Sequence, residues 1–151
     1  MIRRFGESPE AGRKYIHRAG VYAILPQGSS LLLTCQADPG PDLQLPGGGI
    51  DPGESPITAL HREVFEETGW RIARPLRIGA FRRFVYMPEY DMWADKICHI
   101  YHARPVARLG PPSEEGHEAI WMEAIVAAQM LGNPGDRHFA LEFALSGSRP
   151  D

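Results

Sequence analysis

Gly48-Gly49-Ile50-Asp51-Pro52-Gly53-Glu54-Ser55-Pro56-Ile57-Thr58-Ala59-Leu60-His61-Arg62-Glu63-Val64-Phe65-Glu66-Glu67-Thr68-Gly69-Trp70 is the stretch on which the reading of this chain turns. Ser55 is a good N-cap and Pro56 suits the first helical position, while Gly69 suits the residue that stops a helix. Between them Ile57, Leu60 and Val64, with Ala59, form an apolar stripe expected to face the core, with the acids outward. Glu63, Glu66 and Glu67 stand three and four residues apart and so share a helical face. Like charges at that spacing weaken a bare helix by roughly a few tenths of a kcal/mol per pair, so something positive must compensate them. Oxygen donors clustered this way suit a hard divalent cation, Mg²⁺ or Mn²⁺. A solvated, ion-paired face would explain an isolated Glu-Glu pair. The glycine-rich loop bearing Glu54 just ahead of the helix favours the metal reading.

The stretch resembles the signature of the Nudix hydrolases. That box runs Gly, five residues, Glu, seven residues, Arg-Glu, an aliphatic, any residue, Glu-Glu, any residue, Gly, an aliphatic. Gly48, Glu54, Arg62, Glu63, Val64, Glu66, Glu67 and Gly69 fill its fixed positions at the right spacing. Trp70 departs from the final aliphatic, at a position that packs rather than reacts. The resemblance implies an α/β protein with the Nudix fold, a mixed β-sheet sandwiched between α-helices, in a single domain over residues 1–151. It also implies that Glu63 and Glu67 ligate the metal, with Glu66 a further ligand or a group orienting water. A backbone carbonyl near Gly47 or Gly48 joins them, Gly48 being the position named. Arg62 takes an orienting role by pairing with carboxylates, Glu54 among them, and Glu54 is placed with the substrate-binding groups. A further Glu from a later loop serves many members as base or ligand. Here the candidates are Glu115 first, Glu118 second and Glu114, in Ser-Glu-Glu-Gly-His-Glu.

Beyond the box the aromatic residues Phe81, Phe84, Tyr86, Tyr90 and Trp93 flank a hairpin loop and could stack on a nucleobase. Alternation puts Phe84 and Tyr86 on one strand face, opposite Phe81. Tyr86 lies at a distance from the box that resembles the mark of dinucleoside polyphosphate hydrolases. Tyr86, Phe84 and Arg82 are therefore the expected substrate contacts, against the alternative that aromatic strand residues are core. Arg82 and Arg83 could meet phosphates or form a charged strand face.

The remainder of the chain bounds these readings. Its 151 residues suffice for one domain with a core. A net charge of −3 gives no general attraction to nucleic acid polymers, so a small nucleotide is the expected partner. Apolar runs such as Val21 to Leu25 are too short to span a bilayer, and no membrane partner is expected. Cys35 and Cys98 read as buried free thiols suited to the cytoplasm, and the six histidines as mostly structural or solvated. Assembly as a homodimer is compatible with these features.

Strands are expected over Ala19 to Leu25 and Ser30 to Gln36, joined by a Gln27-Gly28-Ser29 turn. Further strands are expected over Leu43 to Leu45, Leu76 to Met87, Lys96 to Val106 and Glu118 to Met122. Pro88 to Ala94 reads as a hairpin loop, and Arg108 to His117 as a polar loop. Ala124 to Leu131 and Asp136 to Leu145 read as helices. The leading functional reading is Mg²⁺-dependent hydrolysis of a phosphoanhydride bond in a nucleoside diphosphate linked to another moiety, such as a dinucleoside polyphosphate or nucleotide sugar. A nucleotide-binding sensor without turnover is the alternative, which a damaged box would favour. An isomerase of diphosphate lipid precursors would need an active-site Cys that neither cysteine supplies persuasively.

Overall fold

Helix α1 spans Pro56–Thr68 and begins and ends where its caps dictate. The Ser55 hydroxyl accepts from the Thr58 N–H, Pro56 occupies the first turn, and Gly69 closes the helix at φ 77° with its N–H on the Phe65 carbonyl. A left-handed residue costs least as glycine, and a Cβ at Gly69 would meet the Gly110 carbonyl at 2.0 Å. Ala59, Leu60 and Val64 are buried as the periodicity requires. Two expectations for this helix are corrected. Ile57 is 39% exposed, and Glu67 is buried rather than outward. Glu67 continues the Leu60, Val64 spacing, so its burial follows from helical geometry.

The structure, a computed structural model, describes residues 2–37 and 40–146. Around α1 the strands run β1 (Arg3–Arg4), β2 (Ile16–Ile24), β3 (Pro26–Gln27), β4 (Ser30–Gln36), β5 (Asp42–Gln44), β6 (Gly47–Gly49), β7 (Trp70–Met87), β8 (Met92–Arg108) and β9 (His117–Glu123). Helices α2 (Ala124–Met130) and α3 (Pro134–Ser146) follow. A five-stranded mixed sheet has the order β1-β7-β8-β2-β6, with β1 parallel to β7 and β2 parallel to β8. A second sheet pairs β4 with β3, β5 and β9. The chain changes sheets at Leu25, so the expected first hairpin is made by Pro26–Gln27 with β4 and not by the whole of β2.

Apolar packing lies on both sides of these sheets. Val21, Ala23, Leu25 and Leu32 pack with Leu60 and Val64 of α1, whereas Ile24, Leu31 and Leu33 pack with Leu131 and with Phe139 and Phe143 of α3. Leu31-Leu32-Leu33 is an uninterrupted apolar run because β4 is covered on both faces. Trp70, the departure from the box, packs edge-on against Trp121 at 5.5 Å, so the position is a packing site that accepts an aromatic.

Strands β7 and β8 are longer than expected, and the loop between them is correspondingly shorter, a 3-10 turn over Pro88–Tyr90 closed by Asp91. The early part of β7 is masked in sequence by Arg71, Arg74 and Pro75, and register shifts occur there. The three-glycine run is itself a strand, β6, antiparallel to β2. Glycine is required because a Cβ at Gly47 would sit 2.0 Å from the Val21 carbonyl and one at Gly48 would sit 2.5 Å from the Glu63 carboxylate. Cys98 is buried as expected and Cys35 is half-buried, both as free thiols. No helix among the described residues is long and apolar enough to cross a membrane.

Candidate metal and nucleotide site

Strand β6 lies over the acidic face of α1, and the site is built where they meet. In an antiparallel ladder every second residue turns its N–H and C=O toward the partner. The Ala23 N–H donates to the Pro46 carbonyl and the Ile50 N–H to the Ala19 carbonyl, which puts Gly48, opposite Val21, in the hydrogen-bonded register. Gly47 and Gly49 therefore present their polar groups to the helix. The Gly47 N–H donates to Glu67 Oε1 at 3.0 Å, and the Gly49 carbonyl accepts from Arg62 Nη2 at 3.2 Å. The Gly48 carbonyl, expected near the metal, turns toward Val21 of β2 in this register, and the faces of Gly47 and Gly49 are the ones presented to the helix.

Arg62 is the fork that holds the loop to the helix. It donates to Glu54 from Nε at 2.7 Å and from Nη2 at 2.9 Å, to Glu63 at 3.0 Å and to Glu66 at 3.4 Å. The pairing with Glu54 and the helix acids expected of Arg62 is present, and a planar bidentate guanidinium suits it better than an ammonium would. Glu54 also accepts from the Asp51 N–H at 3.0 Å. Those bonds, Arg62 first, hold the Glu54 carboxyl down to about 2. With both oxygens engaged inside the loop, Glu54 is an anchor, which corrects its expected placement among the substrate contacts.

Two groups of potential ligands converge beside β6, with the donor atoms of each within 4.8 Å of one another. One is Glu63, Glu66 and Glu114; the other is Glu67, Glu114 and His117. Burial pushes the Glu67 carboxyl well above the usual range and raises Glu63 as well, despite Arg62 beside it. Buried carboxylates crowded in this way disfavour their own charge, and a cation relieves that cost. A donor set of four carboxylates and one imidazole fits a hard divalent ion.

Glu114, and not Glu115 or Glu118, is the loop carboxylate that joins the helix acids. The reason is backbone geometry: the N–H groups of Ser113 and Glu114 both donate to the Glu66 carbonyl, at 3.0 and 2.9 Å, which clips the loop to the end of α1. His117 was missed among the scattered histidines. Its Nδ1 lies 2.8 Å from the Thr34 hydroxyl and 3.8 Å from Glu67, and its Nε2 3.9 Å from Glu114. Its position in the same acidic loop as the candidate glutamates was the available signal.

A cleft of about 290 Å³ opens from these acids and is lined also by Arg18, Tyr22, Tyr90 and Lys96. Lys96 Nζ donates to the Tyr22 hydroxyl at 3.1 Å, and Arg18 lies over the Tyr90 ring. None of these four was expected as a site residue except Tyr90, as one of the flanking aromatics. The expected contacts Arg82, Phe84 and Tyr86 lie elsewhere. Cross-strand pairing sets Arg82, Phe84 and Tyr86 opposite Ile97, Asp95 and Trp93 on one face, whereas Arg83 and Lys96 share the other, from which Lys96 lines the cleft. Arg82 makes a bidentate pair with Asp95 at 2.7 Å, Phe84 packs edge-on to Tyr15, and the Tyr86 hydroxyl donates to Asp91.

A family model described as NUDIX domain matches residues 14–143. A putative 8-oxo-dGTP diphosphatase of Bacillus subtilis is 33% identical over 82 residues, covering 54% of this chain and 55% of that protein. A CMP-5'-(N-acetyl-N-hydroxy-3-aminopropyl)phosphonate hydrolase of Streptomyces rubellomurinus is 38% identical over 90 residues, 58% of this chain and 41% of its own. The matches thus span about half of these curated relatives. Among solved structures, a NUDIX hydrolase from Nitrosomonas europaea superposes with a TM-score of 0.70 at 22% identity, over 89% of this chain and 93% of that one, a likeness of fold. With the box, the mixed sheet between helices and the domain match in register, this chain belongs to the NUDIX family.

Proposed function

We propose that the protein hydrolyses a phosphoanhydride bond in a nucleoside diphosphate linked to another moiety, with Mg²⁺ or Mn²⁺ held by Glu63, Glu66, Glu67 and Glu114. The observation that carries this reading is the convergence of Glu67, buried and hydrogen-bonded to Gly47, with Glu63 and Glu114 at the mouth of one cleft. When bound, the cation neutralises phosphoryl oxygens and acidifies water, the two requirements for attack on an anhydride. Arg62 keeps Glu63 and Glu66 aimed at the same point and so preorganises the carboxylates. Glu114, the exposed member of the set, is the one that also accepts a proton from attacking water. His117 positions Glu114 and Glu67 from within the protein. Arg18 and Lys96, across the cleft, meet the negative charge of the diphosphate.

The named activities of the relatives, a diphosphatase and a phosphonate hydrolase of a cytidylyl compound, support the same reaction class. The test is release of nucleoside monophosphate or phosphate over a panel of nucleoside diphosphate derivatives. Turnover is expected with millimolar-range metal (on the order of 1 mM) and none in chelator. Undiminished hydrolysis by verified metal-free protein overturns the mechanism. Preference for simple monoesters over every anhydride overturns the substrate class.

A further inference from the structure

Charge in this molecule is segregated far beyond what a net −3 implies. Strands β1, β7 and β8 carry ten of the sixteen Lys and Arg residues and one of the nineteen Asp and Glu residues, Asp95, which Arg82 neutralises. Five of those cations are exposed and stand together: Arg71, Arg74 and Arg77 of β7, and Arg104 and Arg108 of β8. None has a carboxylate partner among the described residues, where Arg71 lies over the Phe65 ring, Arg77 donates to His99 Nδ1, and the ion pairs fall elsewhere. None of the five lines the cleft. We infer that this arginine row is a binding surface for single-stranded nucleic acid, separate from the cleft and independent of the hydrolase reading.

The pairing register makes the row continuous. Trp70 lies opposite Arg108 and Ala73 opposite Arg104, so each β8 arginine falls within one residue of a β7 arginine across the ladder. From Arg71 to Arg77 the strand advances about 20 Å, at about 3.3 Å per residue, with a positive charge at every third position. Like charges gathered in this way repel, and a polyanion relieves the repulsion. Arg74 sits at φ 54°, in the left-handed region where a side chain is costly, and the register shift between Ala73 and Leu76 takes it out of the ladder. Strand β1 pairs with β7 only at Phe81 and Arg82, so residues 70–80 form an edge among the described residues, and a charge with a bulge blunts an edge. Edge blunting is indifferent to sign, however, and does not account for five cations without a carboxylate. Phosphate does: nine of the ten cations on these strands are arginine, whose planar guanidinium takes phosphate oxygens bidentately. A row suits an extended phosphate chain better than a plane of lipid headgroups, and the exposed Phe65 ring beneath Arg71 offers a face to an unpaired base.

The test is fluorescence anisotropy of a labelled oligouridylate of about 20 nucleotides titrated with the full-length protein across a salt series, in EDTA so that no cleft metal holds phosphate. Binding with a Kd on the order of 10 µM is expected near 50 mM salt, with a slope of log affinity against log salt of about −0.7 for each phosphate engaged. The triple variant Arg74→Gln, Arg104→Gln, Arg108→Gln should bind at least about tenfold more weakly and lose about 2 from the magnitude of that slope. Lysine at the same three positions should keep the slope, since it keeps the charge. Turnover of a small nucleoside diphosphate derivative should be the same in the Gln variant as in the unaltered chain. Absent binding, a slope unchanged in the Gln variant, a slope lost in the Lys variant, or small-substrate turnover that falls with the Gln variant overturns the proposal. Capture by phosphatidylserine–phosphatidylcholine vesicles without oligonucleotide binding overturns it as well and makes the row a membrane contact. Salt-dependent, arginine-dependent binding by a chain that turns nothing over would leave the surface standing and remove the hydrolase reading instead.

Discussion

The two faces of the β7–β8 strand pair carry similar residues and opposite electrostatics. The outer face holds Arg82, Phe84, Tyr86, Trp93 and Asp95, and its charges neutralise one another: Arg82 lies in a bidentate pair with Asp95 and holds that carboxyl below its usual range. The inner face holds Arg83 and Lys96 beside buried Asp136, and there burial pushes the carboxyl up to about 6. A self-neutralised, partly solvated cluster has nothing left to offer a ligand. An enclosed set of charges that is only partly hydrogen-bonded does, because each remaining donor or acceptor is costly to leave unpaired in a low dielectric. The difference teaches that aromatic and arginine content along a strand says little about binding until parity assigns each residue a face.

The largest effect that would sharpen this contrast lies at the buried end of the site. Glu67→Gln should lower kcat by about a thousandfold or more, because it removes metal-holding charge while keeping shape. The same variant should raise the melting temperature of the metal-free protein, since the buried charge is gone and the Gly47 hydrogen bond can be retained. Near-normal turnover, or a lower metal-free Tm, would show that burial of Glu67 serves packing alone.

The next effect is one of stability and carries a definite sign. The folded Asp136 carboxyl titrates at about 6, against an ordinary 3.8, so between those values the folded state binds the additional proton. Stability from this group is therefore greatest at low pH, declines as pH rises from about 4 to 6 and is flat above, by about 3 kcal/mol in total. Asp95, lowered by Arg82, acts in the opposite sense and loses its contribution as pH falls through its depressed pKa. Denaturant melts of Asp136→Asn and the unaltered chain, subtracted across pH 4 to 7 (about the window named), isolate the first term. A flat difference would mean Asp136 is not held protonated.

Glu114→Gln should cut kcat by about tenfold more than Glu115→Gln, because only Glu114 reaches the helix acids. Steady-state kinetics on the two variants measure this directly, and the reverse order would return the role to Glu115. The smallest effect is on the outer face: Tyr86→Ala should leave KM within about twofold, as expected for a surface position away from the cleft. A KM rise beyond tenfold (about the size of a lost base contact) would bring that face into the substrate site.

Helix α1 was legible because its information is local. Ser55, Pro56 and Gly69 mark its ends through groups within four residues of each cap, and the carboxylate face follows from a fixed rotation per residue. The burial of Glu67 was also available from the Leu60, Val64, Glu67 spacing, yet its charge argued for the outside. Strand β6 was not legible, since three glycines have poor strand propensity and pair only because no other residue fits between Val21 and Glu63.

By itself the sequence determined the family, the helix with its caps, the acids Glu63, Glu66 and Glu67, and the orienting Arg62, because each depends on contacts within a few residues along the chain. Tertiary structure alone decided that Glu114 and His117 lie beside the helix acids, that Glu54 anchors the loop to Arg62, and which residues of β7 share a face with Lys96. Those depend on where a loop is clipped to a helix end and on the register of strands far apart in sequence. Spacing along a chain does not encode either until the backbone hydrogen bonds close.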